Sequence, residues 1–229
     1  IRYPRVCVGI SGGSHPSRGV GAKGRFIVRA AWEGTLINHR YKFIFVHINK
    51  CAGQSVRRSL PHNLFKRETR GHNTIMHYIG LCRRKGRDPS EYFKFTIVRN
   101  PWDKVVSFYH YHRRRKWELF PWTVETEPDF KTFLQRLFVE NNGALAHEIF
   151  RKRSGASTHH LRLRNSLDWV TGPDGSVLMD FIGRVENLQD DFDHICDRIG
   201  IRPRRLPHAN RSSHKPYWEY YDDTARDIV

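Results

Sequence analysis

The chain is short of cysteine, of acidic residues and of long apolar runs. Its four cysteines, Cys7, Cys51, Cys82 and Cys196, lie far apart, and no pair has the C-x-x-C spacing of a metal site. Nothing there demands a disulfide framework, so a reducing compartment is the default expectation. No apolar run approaches the ~20 residues that cross a bilayer, so no membrane-spanning helix is expected. The opening "IRYPRVCVGISGGS" has no clean apolar core and no cleavage context, and does not read as a signal peptide. Acidic residues number 23 against 40 Lys and Arg, which leaves a net charge of +17. A surplus of that size speaks to partners rather than to fold, and the partners it suits are anions.

What is present is enough for a globular domain. The chain has 229 residues, 38% hydrophobic and 13% aromatic, which allows one domain with a proper core. Residues 1–40 are rich in glycine and turn formers at their start and read as an irregular arm; residues 41–229 read as a single domain. Gly19, Gly21 and Gly24 spell G-x-G-x-x-G, but "SHPSR" stands where a dinucleotide site needs a strand, and "RFIVRAAW" where it needs a helix. That motif is a decoy.

From residue 41 onward, strand and helix patterns alternate. "YKFIFV" (41–46) suits a central parallel strand, and "GQSVRRSL" (53–60) a short helix stopped by Pro61. "HNTIMHYIGLCRRK" (72–85) places Ile75, Tyr78, Ile79 and Cys82 on one helical face. "YFKFTIV" (92–98) reads as a second strand. In "NPWDKVVSFYHYHRRR" (100–115) Asn100 is an N-cap, Pro101 the first helical residue and Asp103 a first-turn acid. "PDFKTFLQRLF" (128–138) is amphipathic. "SLDWV" and "VLMDFIGRV" read as two strands joined by "TGPDGS". "LQDDFDHICDRIG" (188–200) is a helix ended by Gly200, and the tail closes on a further helical pattern. The expected class is α/β: three layers, with a mostly parallel central sheet flanked by helices.

Two strand-to-helix turns carry the chemistry. In "HINKCAGQS" (47–55) the helix start offers unpaired backbone N–H groups and the positive end of its dipole, Gly53 permits close approach, Lys50 adds a full charge and Ser55 a hydroxyl. The lysine precedes the glycine, so this is not the G-x-x-x-x-G-K-[ST] loop of nucleoside triphosphatases. In "VRNPWDKVVSFY" (98–109) Arg99 lies at the carboxyl end of a strand, where α/β sheets bind ligands, and Ser107 two turns into the next helix.

Together these segments resemble the sulfotransferases that use 3′-phosphoadenosine 5′-phosphosulfate (PAPS). That family carries a loop of the type H-I-P-K-T-A-G-T-S and a later R-N-P-W-D-R-x-V-S-x-Y. "FIGRVENLQDDF" (181–192) and "ANRSSHKPYWEYYDD" (209–223) are similar to further family stretches, and the likeness is to the carbohydrate and bacterial branch. It implies a P-loop-like phosphosulfate loop of Lys50, Cys51, Ala52, Gly53, Gln54 and Ser55. Arg99 and Ser107 would hold the 3′-phosphate, with Ser213 and Lys215 closing over the nucleotide and the product PAP leaving. Asn49, Cys51 and Gln54 depart from the family's Pro, Thr and Thr.

The resemblance implies Lys50 as the cation at the leaving oxygen and His72, in "RGHNTIMHY", as general base, with His77 a second choice. Glu186 reads as a buried acid paired with Arg184, Trp102 and His47 as core residues. His110 and His112, like His159 and His160, lack the spacing that puts two rings on one helical face, so no metal is expected. The implied acceptor is a hydroxyl or amine, on a carbohydrate in the family's manner and anionic if charge decides, with no nucleic acid. The compartment would be the cytoplasm for a bacterial chain, or the Golgi lumen for a eukaryotic chain whose anchor has been removed. The rival reading is a basic nucleic-acid-binding protein without catalysis, resting on aromatics among cations in "FYHYHRRRKW".

Overall fold

The computed structural model describes residues 36–61, 72–116, 127–140, 165–207, 209 and 214–229. The expectations for the glycine triad at 19–24, for His159 and His160, and for Ser213 lie outside them.

Within these residues the fold is mixed α/β. Strand β1 (Ile37–Asn38) runs antiparallel to β2 (Phe43–Val46); β3 (Phe93–Val98) and β4 (Phe181–Arg184) follow in parallel, in the order β1-β2-β3-β4. All four residues of β2 are buried. Successive side chains on a strand point to opposite faces, so both faces of β2 are covered. Val46 lies opposite Thr96, and Val98 opposite Arg184, which brings the carboxyl ends of the parallel strands to one edge. The Thr96 hydroxyl donates to the Val46 carbonyl across 2.7 Å and fixes the end of β2 at that edge.

Six α-helices accompany the sheet among the described residues: α1 (Gly53–Ser59), α2 (Ile75–Arg84), α3 (Pro101–Arg114), α4 (Phe130–Leu134), α5 (Leu188–Arg198) and α6 (Asp223–Ile228). Helix α2 buries the predicted face of Ile75, Tyr78, Ile79 and Cys82. Helix α5 ends as expected, with Gly200 at φ +69°, a left-handed conformation that glycine adopts without steric cost. One core cluster joins β1–β3, α1, α2, Trp169 and α5; a second joins α3, α4 and the tail residues Tyr221 and Ala225.

The expected pair of strands around "TGPDGS" needs correction. Ser166–Trp169 is a 3-10 turn, capped by the Asn165 side chain, which accepts from Leu167 N. Only a single antiparallel bridge, Thr171 to Val177, remains of the pairing, and the second segment contributes β4 to the main sheet instead. Trp169 is fully buried. Burying so large a ring favours the tight turn that aims it into the core over a half-exposed strand.

Candidate active site

The turn from β2 into α1 and the turn from β3 into α3 lie side by side at the carboxyl edge of the sheet. The first is built on unusual backbone. Lys50 and Ala52 both have positive φ, +61° and +54°, a region that non-glycine residues enter at a cost. The first hydrogen bonds of α1 run from Ser55 N and Val56 N to the Ala52 carbonyl, at 2.9 and 3.3 Å. The N–H groups of Gly53 and Gln54 therefore precede the helix ladder. Gly53 has a reason of its own. A Cβ there would lie 1.8 Å from Cδ2 and 2.0 Å from Nε2 of His47, so the imidazole occupies the space a side chain would need.

Cys51 is buried, and its thiol donates to the Asn49 carbonyl at 3.3 Å. Burial pushes its pKa up to about 11, so it is a neutral thiol. Ser55 is buried too, and its hydroxyl accepts from Ala209 N at 3.2 Å, which brings the C-terminal segment to this turn.

Lys50 and Arg99 meet here. Arg99 Nη1 donates to the Lys50 carbonyl at 3.2 Å, and its Nε donates to Asp103 Oδ2 at 2.7 Å. The two turns, 49 residues apart in sequence, are thus joined by one guanidinium. The Lys50 ammonium lies 4.2 Å from the centroid of the Tyr111 ring, a cation–π contact. Burial foremost, then the Arg99 and Arg114 charges, lower its pKa to about 8. Ser107 is buried on the same helix as Tyr111.

The start of α3 forms as its sequence predicts. The Asn100 side chain accepts from Trp102 N and Asp103 N at 3.0 and 3.3 Å. The expectation for Glu186 is corrected. It is exposed, and its Oε1 accepts from Asn100 N at 3.0 Å, so it braces the β3–α3 turn instead of pairing with Arg184. Trp102 packs against the second core cluster, as expected.

His72 stands at the other side of the first turn. Its Nδ1 donates to the His47 carbonyl at 2.7 Å. A carbonyl only accepts, so the proton is on Nδ1 and the neutral ring keeps its lone pair on Nε2. The His47 and His72 rings are 4.3 Å apart. His77 is exposed on α2, away from that contact. Lys215 is exposed and pairs with Glu219 at 3.4 Å. Among the described residues no cluster of His, Cys, Asp and Glu fits a metal ion, and no helix is long and apolar enough to cross a membrane.

Sequence reasoning missed three neighbours of the site. Asp103 holds Arg99, Tyr111 carries Lys50, and Lys104 is buried with its pKa lowered, chiefly by that burial. The motif "RNPWDK" contained the first and last, but only the helix register shows which side they face.

Neither the curated proteins nor the solved structures contain a match to the chain. The model of one family, described as "Sulfotransferase family", matches residues 33–226 and so takes in both turns, His72 and the tail. The chain belongs to the sulfotransferase family, enzymes that transfer a sulfuryl group from PAPS.

Proposed function

We propose that the protein moves a sulfuryl group from PAPS to a hydroxyl or amine of a carbohydrate acceptor, in the manner of the carbohydrate and bacterial branch. The observation that carries this reading is the Arg99 bridge to the Lys50 carbonyl, which makes one cationic site of two strand-to-helix turns. The residues fit the phosphosulfate end of PAPS. The N–H groups that precede the α1 ladder and the Lys50 ammonium supply donors for an anion. The phosphosulfate loop would be residues 50–55, with Arg99 and Ser107 on the 3′-phosphate and Ser213 and Lys215 closing over the nucleotide. Helices over both faces of the sheet would complete three layers.

PAPS, when bound, supplies the sulfuryl group and departs as PAP. Lys50 would meet the charge on the leaving oxygen as its bond to sulfur breaks. His72 Nε2 would take the proton of the acceptor hydroxyl as the new oxygen–sulfur bond forms. The Arg114 and Arg115 guanidiniums lie 6.0 and 5.7 Å from the Tyr111 ring that carries Lys50. Positive charge there supports an anionic glycan as acceptor.

Calorimetric titration with PAP tests the cofactor site: the intact chain binds and Arg99→Ala weakens binding at least tenfold, whereas no binding by the intact chain ends the reading. A labelled-PAPS transfer assay across acidic glycans, neutral sugars, peptides and small alcohols tests the acceptor. Acidic glycans should lead, and their turnover should fall with salt. Loss of turnover in Lys50→Ala and in His72→Ala completes the assignment; an active His72→Ala enzyme removes it as base.

A further inference from the structure

His47 is the one buried imidazole at the site to which the proposed reaction gives no task. It is 4% exposed at the end of β2, stacked on Phe45 at 5.7 Å and 16°. One edge of its ring fills the place where a Cβ of residue 53 would stand. The ring also lies 4.3 Å from that of His72, tilted by 46°, and the His47 carbonyl accepts the hydrogen bond from His72 Nδ1. One residue therefore touches both the start of α1 and the imidazole opposite it. We propose that His47 is a positioning residue: it wedges between Gly53 and His72, sets the His72 ring in place, and leaves the His72 Nε2 lone pair to receive the acceptor's proton. The inference rests on the proposed base role of His72.

The chemistry of His47 suits a wedge better than a proton carrier. Burial first, then the nearness of His72 and of Arg57 on α1, hold its pKa well below the ordinary histidine value. It stays neutral near pH 7 and so sets no charge beside His72. Trp169 also meets His72, edge-on at 6.3 Å, and brings no charge. A neutral aromatic wall thus orients His72 without opposing the imidazolium it becomes.

The test uses the full chain labelled with 15N-histidine and loaded with PAP. Long-range 15N–1H correlation spectra read each imidazole's tautomer and titration, and His72→Ala identifies the His72 signals by their loss. In the parent chain His72 should be the Nδ1–H tautomer. In His47→Ala and His47→Leu it should shift to a mixture with the Nε2–H form and titrate at a changed pH, while PAP affinity stays within about threefold. His47→Phe, which restores an aromatic wall, should return the parent tautomer. The proposal is overturned if His72 is unchanged in Ala and Leu variants that bind PAP, or if both variants lose PAP binding, which would make His47 a support of the loop alone. Failure of the base role reads out elsewhere, as turnover retained by His72→Ala, and removes the catalytic use of the placement whatever the spectra show.

Discussion

Burial and two arginines act on Lys50 in the same direction, each favouring loss of its proton, and the result is a pKa of about 8 against an ordinary 10.5. The ammonium is present below that value and lost above it. PAP affinity should therefore fall as pH rises through about 8, read by calorimetry across pH 6.5 to ~9.5. Lys50→Arg, whose guanidinium keeps its charge throughout, should carry the fall to higher pH. Gly53 gives a second prediction. Gly53→Ala places a methyl group inside the volume of the buried His47 ring, and relief requires that ring or the turn to move. Overpacking of this kind costs about 1–3 kcal/mol, measurable by urea denaturation, and His47→Ala in the same chain should recover part of it. The glycine was legible in the sequence as a close-approach residue. What approaches it was not, because the neighbour is an imidazole six residues upstream, brought there only by the fold of the turn.

Among the elements, α3 was the most legible. Asn100, Pro101 and Asp103 form a start signal, and the observed cap uses the Asn100 side chain on two N–H groups. Asn100→Ala should cost about 0.5–2 kcal/mol and lower the melting temperature, while Asn100→Asp retains the cap. Helix α2 was equally legible, since four apolar residues at helical spacing leave one buried face. Strand β1 was not, because Ile37–Asn38 is too short for any period to show. The segment around Trp169 misled for a physical reason. Its apolar residues suit a strand, but the Asn165 cap and the burial of one indole select a 3-10 turn. Neither Glu186 on the backbone of Asn100 nor Ala209 on Ser55 could be read locally, since each joins positions far apart in sequence.

At the scale of the whole molecule, two histidines limit tolerance of acid. Burial foremost, then His214 and Arg113, holds His110 at about 4, and His47 lies well below its ordinary 6.5. The unfolded chain takes up protons on these rings near 6.5, before the folded chain does. Between about 6.5 and 4 the unfolded state thus binds more protons, and stability falls as pH falls through that window. Thermal melts from pH 7.5 down to 4 should show the loss, and His110→Gln, which has no proton to gain, should flatten part of it. His110 also bonds Tyr220 through Nε2 at 2.8 Å and stacks on His214 at 5.1 Å. The acid-sensitive contact is therefore the one that docks the tail on α3.

Arg99 is already engaged by Asp103. An anion that comes to this guanidinium must share it with a tethered carboxylate, or displace it. Asp103 acts as a resident rival whose effective concentration does not fall when ligand is scarce. Such a rival weakens equilibrium binding, yet it is at hand to reclaim the arginine the moment a product loosens. In kinetic terms, affinity is exchanged for rate of release, and an enzyme that must discard a spent nucleotide after every cycle gains from that exchange.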